Sequence, residues 1–162
     1  MIDEIDRKIL NIIQKNARIS NADIAREIGL APSATLERVR KLEERGVIQG
    51  YFTKIDAEEV GLGLTAFVAV KTHECCVDTD RFLAEIPEVL EVHDLAGEDA
   101  YFLKVKVKDT KALSKLLRNK LRNDPNVAST NTTVVLKTIK ESIGLLIEQA
   151  DKEKTGSKKR KK

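Results

Sequence analysis

The sequence is poor in the large aromatic side chains around which many proteins build their cores. Its 162 residues include no Trp, two Tyr and four Phe. Ile, Leu and Val must therefore supply most of the core, which is expected to be aliphatic. A chain of this length suits one medium-sized domain or two small ones.

Cysteines and long apolar runs are scarce as well. Cys75 and Cys76 are the only cysteines, and adjacent cysteines cannot provide a disulfide framework. His73 makes a metal site conceivable, but the C-x₂-C spacing is missing, and a strand end running into a loop is the simpler interpretation. No apolar run reaches the ~18 residues of a membrane span, and the acidic start is unlike a signal peptide. We expect a soluble cytoplasmic protein without a metal, a cofactor or a membrane partner.

Charge is abundant but unevenly distributed. The formal net charge is only +3, although the last twelve residues, DKEKTGSKKRKK, contain seven cations and two anions. The other 150 residues are therefore slightly acidic. The basic tail has too little apolar content to fold, and it could serve either as a solubilising end or as a contact to phosphates.

Three helices are predicted in the first fifty residues. Ile5, Ile9, Ile12 and Ile13 have helical spacing, which predicts an amphipathic helix over residues 3–15. Ser20 and Asp23 resemble a capping box at the start of a second helix that Gly29 ends. Pro32 suits the first turn of a third helix, with Leu36, Val39 and Leu42 as its buried stripe and Gly46 closing it. This order is typical of a helix-turn-helix.

The third helix carries the candidate DNA-binding residues. With the stripe inward, its outward face holds Ser33, Ala34, Glu37, Arg38 and Lys41, which can reach bases and phosphates. Arg40 falls on the flank and Thr35 nearer the core, so both are weaker candidates. A solvated amphipathic helix with Glu37–Lys41 and Lys41–Arg45 pairs is the alternative interpretation.

The period changes after residue 46. VIQGYFTKID alternates apolar and polar residues, which predicts a strand that links two domains. Strands are then predicted at 65–72, 89–96, 101–107 and 130–138, with helices at 79–86 and 110–122. The order β-α-β-β-α-β is typical of a ferredoxin-like domain with helices on one face of an antiparallel sheet.

Two helices cannot cover both faces of such a sheet. The strands contain many apolar residues, namely Phe67, Ala69, Leu103, Val105, Val107 and Val135. Pairing of two sheets would bury the surplus, so we expect at least a dimer.

Several segments resemble one known family. IDRKIL, NARISNADIAREIGL, RVRKLEERGVIQGY, GLGLTAFVAV and VVLKTIKE are similar, in register from about residue 2 to 141, to the leucine-responsive regulatory protein family, Lrp/AsnC. The resemblance implies an α+β protein. Its expected parts are a winged-type helix-turn-helix domain (1–50), a hinge strand and linker (51–63), a ferredoxin-like sensor and oligomerisation domain (64–141) and an extension with a basic tail (142–162). Implied partners are double-stranded DNA, an amino-acid effector and further copies, from a homodimer to a tetramer or octamer.

The resemblance also assigns site residues. The family's recognition helix falls on residues 32–45, although Ala31 replaces its usual Ser or Asp cap. The effector pocket, between sensor domains, falls on Leu95, Gly97, Glu98, Asp99, Ala100 and Tyr101, with Thr130 and Thr132 on the last strand. Ala100 departs from the family's usual polar residue. Asn119, where some relatives have an acid, favours a neutral ligand.

Two other functions compete with an effector-controlled regulator. An enzyme would need a convergent set of reactive groups, yet only His73 and His93 are present, without a nucleophile elbow, HExxH motif or phosphate loop. An architectural protein that coats DNA with little effector control is the second alternative, which the basic tail favours.

Overall fold

The computed structural model describes residues 2–74 and 77–148, apart from the side chain of Val77. The described residues form two compact units, one of residues 2–54 with 142–148 and the other of residues 55–141. The basic tail and the two cysteines lie outside the described residues. In the part that is described, no helix is long and apolar enough to cross a membrane.

The first unit is built from three helices, α1 (Glu4–Lys15), α2 (Asn21–Ile28) and α3 (Pro32–Glu44). Ile9, Ile13, Ile24 and Leu42 meet in its aliphatic core, as the helical spacing predicts. Ser20 caps α2 by accepting a hydrogen bond from the Asp23 N–H. Gly29 and Gly46 follow α2 and α3 at φ 72° and 67°, left-handed values that glycine adopts without a Cβ penalty.

Residues 142–148, which we call the strap, also belong to the first unit. Their backbone runs along α1, where Asn11 Nδ2 donates to the Ile147 carbonyl at 3.0 Å and Gln14 Nε2 to the Leu145 carbonyl at 3.3 Å. Ile147 packs against the core of the three helices. The expected extension outside both domains is wrong for these seven residues.

The expected hinge strand is also wrong for this structure. Residues 49–56 contain no strand. A strand exists only where its backbone N–H and C=O groups pair with a neighbouring strand, and the alternation of apolar residues cannot show whether a neighbour is present.

The second unit is an antiparallel sheet of four strands in the order β2-β3-β1-β4. The strands are β1 (Leu64–Thr72), β2 (Val89–Asp94), β3 (Tyr101–Val107) and β4 (Val127–Val134). Helix α4 (Val77–Ala84) follows β1, and α5 (Thr110–Lys115) follows β3. This is the expected βαββαβ order. The observed β4 overlaps the predicted strand 130–138, but it begins at Val127 and ends at Val134.

The sequence pattern predicts one continuous helix after β3, over residues 110–122, but the observed helix changes its type along its length. A π-helical segment, Leu116–Lys120, and a 3₁₀ turn, Leu121–Asn123, replace its last turns. The Leu121 N–H donates to the Leu116 carbonyl, and a bond across five residues brings both leucines toward one side, where both are buried. Core packing therefore overrides the regular α period.

The two faces of the sheet differ. Val68, Leu103 and Val105 are fully buried beneath Leu83 and Leu113 of the helices. On the other face, which we call the outer sheet face, Phe67 stacks on Phe102 with ring centroids 5.4 Å apart. Leu103, Val105 and Val107, expected among the surplus apolar residues, are therefore covered within the unit.

Candidate nucleic-acid interface and effector region

Helix α3 begins without a side-chain cap. Ala31 holds the N-cap position in an extended conformation. It makes no side-chain hydrogen bond, because a methyl group has no acceptor for the N–H groups of the first turn. Pro32 occupies the first turn, where its missing N–H leaves no intrahelical bond unmade. The start of α3 therefore depends on packing within the three-helix unit.

The buried stripe of α3 differs from the predicted one by a single residue. Thr35 is fully buried and its Oγ1 donates to the Ala31 carbonyl, whereas Leu36 is 53% exposed. Thr35, Val39 and Leu42 therefore face inward at helical spacing. Burial removes Thr35 from the candidates for base contact.

The exposed face of α3 carries most of the other candidates. Ser33, Ala34, Glu37, Arg40 and Lys41 are all exposed. Arg40, expected on the flank, lies on this exposed face because the buried stripe includes Thr35 in place of Leu36. Its Nε lies 2.8 Å from Glu44 Oε1, and Lys41 Nζ lies 3.5 Å from Glu37 Oε1.

Arg38 has a different environment from the other two cations. Its Nη1 donates to Asp3 Oδ2 at 2.6 Å and to Asp6 Oδ1 at 2.8 Å, both at the start of α1. The hydrogen bonds to Asp3 and then Asp6 raise the pKa of Arg38. The pKa of Asp3 is lowered, first by the Asp6 N–H and then by Arg38.

Sequence reasoning missed Asp3 and Asp6 in this role. The side chains and backbone N–H groups of these two residues form a reciprocal capping box. An acid before an apolar helix, followed three residues later by a second acid, could have predicted the cap. Nothing in the linear pattern connects them to Arg38, which lies 35 positions after Asp3 and 32 after Asp6.

The glycine turn of the second unit connects β2 to β3. The Leu95 N–H donates to the Ala100 carbonyl at 2.8 Å, and the Ala100 N–H donates to the Val70 carbonyl at 2.9 Å. A methyl group placed on Gly97 would meet no other atom within 4 Å, so the turn is open there. Gly97, Glu98 and Asp99 remain candidate amide donors, while the Ala100 amide is already bonded to β1.

Tyr101 and the two threonines lie next to this turn. Tyr101 is 2% exposed and its hydroxyl donates to Asp80 on α4, so its ring belongs to the core of the unit. Thr130 pairs with Val70 and Thr132 with Val68, which places both threonines on the helix-covered face of β4. Val70 also pairs with Tyr101, so Thr130 and the turn share one end of the sheet.

Asn119 is not brought to that end. It lines a shallow cavity with Phe82, Pro87 and Lys120, near the residues that precede β2, whereas the turn follows β2. At about 3.3 Å per residue, a strand of this length separates the two regions by roughly 17 Å. One copy of the chain therefore does not unite all the candidate effector residues.

Comparison with known proteins identifies the two units. Residues 2–49 match the winged helix-turn-helix DNA-binding family, and residues 65–145 match the Lrp/AsnC ligand binding domain. The leucine-responsive regulatory protein of Salmonella typhimurium is 39% identical over 150 residues, which cover 90% of this chain and 92% of that protein. The chain belongs to the Lrp/AsnC family. It is a transcriptional regulator and not an enzyme, as its relatives are regulators with the same DNA-binding domain.

Solved Lrp/AsnC structures share this fold. A transcriptional regulator from Neisseria meningitidis in complex with L-methionine superposes with a TM-score of 0.84 at 32% identity, covering 90% of this chain and 96% of that one. The feast or famine regulatory protein of M. tuberculosis, complexed with L-methionine, gives a TM-score of 0.84 at 37% identity and covers 91% of this chain and 100% of that one. The α+β architecture predicted from the sequence is confirmed.

Proposed function

We propose that this Lrp/AsnC regulator binds double-stranded DNA through the exposed face of α3. The observation that carries the proposal is the exposure of Arg40 and Lys41 on one face of the last helix of a helix-turn-helix. Among the described residues, the ion-pair partners of both cations are exposed carboxylates on the same helix, and such pairs contribute little to stability. They can therefore exchange a carboxylate for a phosphate at small cost, while Ser33, Ala34 and Glu37 lie beside them to meet base edges.

Two copies are required for a palindromic site. A dimer with two-fold symmetry places its recognition helices in successive major grooves, about 34 Å apart. Half-sites separated by one helical turn are therefore the expected DNA target. A regulator that acts on DNA is expected in the cytoplasm.

The test compares the double variant Arg40→Ala, Lys41→Ala with Lys111→Ala, which removes an exposed cation from α5. Duplexes selected from a random library serve as specific sites, and fluorescence anisotropy measures their affinity at several salt concentrations. Loss of two phosphate contacts should reduce the slope of log affinity against log salt by about 1.8, since each contact contributes about 0.9.

Lys111→Ala should leave both the affinity and the slope unchanged. If the α3 double variant also binds as the wild type does, the proposed interface is wrong. If selection yields no site that binds more tightly than random duplex, the alternative of an architectural DNA-coating protein replaces the regulator with defined sites.

We also propose an amino-acid effector bound between sensor domains. The support is the fold shared with two relatives that were solved with L-methionine. A free amino acid needs donors for its carboxylate and acceptors for its ammonium group. The open turn at Gly97, Glu98 and Asp99 offers amide donors, and the hydroxyls of Thr130 and Thr132 can donate or accept.

The separation of Asn119 from the turn favours a site shared between copies. Both regions contribute to one ligand only if the turn comes from one protomer and Asn119 from another. Neutral Asn119 favours an uncharged amino-acid side chain, because it brings no charge to pair with a basic one.

A thermal-shift screen of the twenty amino acids identifies the ligand, which is then titrated calorimetrically. Thr132→Val removes a hydroxyl from the helix-covered face of β4, and Thr133→Val removes one from the opposite face as the control. Loss of a polar partner at Thr132 should cost ~1–3 kcal/mol of binding, with no change for Thr133→Val. Equal dissociation constants for wild type and Thr132→Val would place the effector elsewhere.

A further inference from the structure

Three residues join the start of α1 to the middle of α3. Arg38 Nη1 donates to one oxygen of Asp3 and one oxygen of Asp6. The second oxygen of Asp6 accepts the Asp3 N–H at 3.2 Å, and the second oxygen of Asp3 accepts the Asp6 N–H at 2.8 Å. Each of the four carboxylate oxygens therefore has a donor, and we call this group the Asp3–Asp6–Arg38 cluster.

Burial makes the cluster costly to open. The side chain of Asp6 is 10% exposed and that of Arg38 is 33% exposed. Withdrawal of Arg38 would leave a largely buried carboxylate without its cation, which is strongly destabilising. Arg40 and Lys41 differ in this respect, since their side chains are 69% and 64% exposed and their partners are 58% and 59% exposed.

Net charge also distinguishes Arg38 from Arg40 and Lys41. Arg38 faces two carboxylates, so the cluster as a whole carries one net negative charge and does not attract a phosphate. The Arg40–Glu44 and Lys41–Glu37 pairs are each neutral, and either can open into water. Arg38 is thus the cation of α3 least able to move to DNA.

We propose that Arg38 is a positioning residue, which fixes the rotation of the recognition helix through Asp3 and Asp6 and does not itself contact DNA. This inference rests on the proposed interface of α3. The cluster holds α3 at its middle, one residue before buried Val39, while the uncapped start of the helix offers no comparable polar anchor. Its loss should let α3 turn or tilt, so that specific binding suffers more than sequence-independent binding.

The test uses Arg38→Met, Asp6→Asn and the double variant. Asp6→Asn keeps an acceptor for the Asp3 N–H but removes the negative charge. In the double variant, the loss of the Arg38 cation therefore leaves no buried charge at position 6. Affinity for a selected site and for random duplex is measured at several salt concentrations, with the folded fraction followed by circular dichroism.

Arg38→Met is expected to weaken binding to the selected site about tenfold, equivalent to about 1.4 kcal/mol, with little change for random duplex and an unchanged salt slope. The double variant should regain stability, since no buried charge of Asp6 is left unpaired, but its site affinity should stay low because nothing then joins α3 to Asp6. Full recovery of site affinity in the double variant would mean that the unpaired charge, and not the lost link, weakened binding, and the inference would be wrong. If the salt slope of Arg38→Met falls by about 0.9, Arg38 contacts a phosphate and the inference is also wrong.

Two other results would also overturn it. Unchanged site affinity in Arg38→Met means that the cluster does not position the helix. A parallel fall in both affinities, in step with the folded fraction, means that Arg38 only stabilises the unit. If Arg38→Met does not fold, two milder variants replace it. Arg38→Lys keeps the positive charge, and Asp3→Asn keeps a side-chain acceptor at the N-cap of α1. Their affinities for the selected site and for random duplex are then compared in the same way. Failure of the α3 interface itself appears separately, as unchanged binding in the Arg40→Ala, Lys41→Ala variant.

Discussion

Thr35 and Leu36 occupy each other's expected places on α3. Hydropathy assigns the inner position to leucine, but Thr35 satisfies its hydroxyl by bonding to the Ala31 carbonyl within the same helix. Its methyl group can then be buried without an unpaired polar atom. The resulting rotation of the stripe moves Arg40 outward and brings Arg38 toward α1.

This rotation leads to a prediction about two leucines of α3. Leu36→Ala should change the free energy of unfolding by no more than about 0.5 kcal/mol, since the side chain is already exposed. Leu42→Ala should cost ~2–5 kcal/mol, because Leu42 is 1% exposed and its removal leaves a cavity. Chemical denaturation followed by circular dichroism measures both, and equal losses would contradict the observed stripe.

The strap shows why some elements escape sequence analysis. Its attachment to α1 uses backbone atoms, including the Leu145 N–H, which donates to Gln14 Oε1 at 2.5 Å. The side chains that dock it, Arg7, Asn11 and Gln14, lie on the polar side of an amphipathic helix and look like ordinary solvated residues. Backbone recognition leaves no residue pattern in the docked segment.

Two variants test the strap. Ile147→Ala should destabilise the first unit, because Ile147 packs against its core, though by less than the ~2–5 kcal/mol of a fully buried isoleucine. Leu146→Ala is the matched control, since that side chain is 92% exposed and should change stability by no more than about 0.5 kcal/mol. Denaturation curves compare the two. Equal stability of both variants and the wild type would mean that the strap does not complete the core.

The π-helical segment leads to a prediction about pH. Lys120 at its end donates to both carboxylate oxygens of Glu88 at 2.7 Å and holds the pKa of Glu88 below its ordinary value of 4.5. A lowered folded-state pKa contributes stability above pH 4.5 that is lost as the pH falls through the lowered value. The unfolding free energy of wild type should therefore fall more steeply on acidification than that of Glu88→Gln.

Denaturation at several pH values below neutrality measures the difference. Glu85→Gln is the control, since the described residues give Glu85 no salt-bridge partner. Parallel curves for wild type and Glu88→Gln would show that the Glu88–Lys120 pair does not contribute to acid sensitivity.

At the scale of the whole molecule, we propose that the outer sheet face pairs with the same face of a second copy. Phe67 and Phe102 stack there, Phe102 is 37% exposed, and Leu90 on the neighbouring edge strand is 55% exposed. An apolar patch of this kind is typical of an interface, and a face used by both copies produces a two-fold dimer. Such a dimer would also supply the second recognition helix.

Phe102→Asp should shift the protein from dimer toward monomer, because it would bury a carboxylate against the partner's apolar face. Sedimentation velocity at micromolar concentration measures the shift. Lys111→Asp introduces the same side chain on α5, on the other side of the sheet, and should leave the dimer intact. A Phe102→Asp variant that remains fully dimeric would locate the interface elsewhere.

The order of helices and strands could be predicted because it depends on local properties. Ser20, Gly29, Pro32 and Gly46 mark helix ends through backbone constraints, and alternating residues in β3 mark a strand with one covered face. The family resemblance then located the candidate recognition helix and effector turn. Periodicity specifies which side of an element is apolar, but only to within about one residue.

Tertiary structure decided what periodicity leaves open. The burial of Thr35, the pairing of Arg38 with Asp3 and Asp6, and the docking of the strap each join residues distant in sequence, or depend on a hydrogen bond that hydropathy does not count. The π-helical turn arises where Leu116 and Leu121 must both reach one core. By itself, the sequence determined the order of the main helices and strands and which cations α3 carries. Only packing decided which of those cations is fastened to the protein and which face the solvent, because that depends on the partners that folding brings within hydrogen-bond distance.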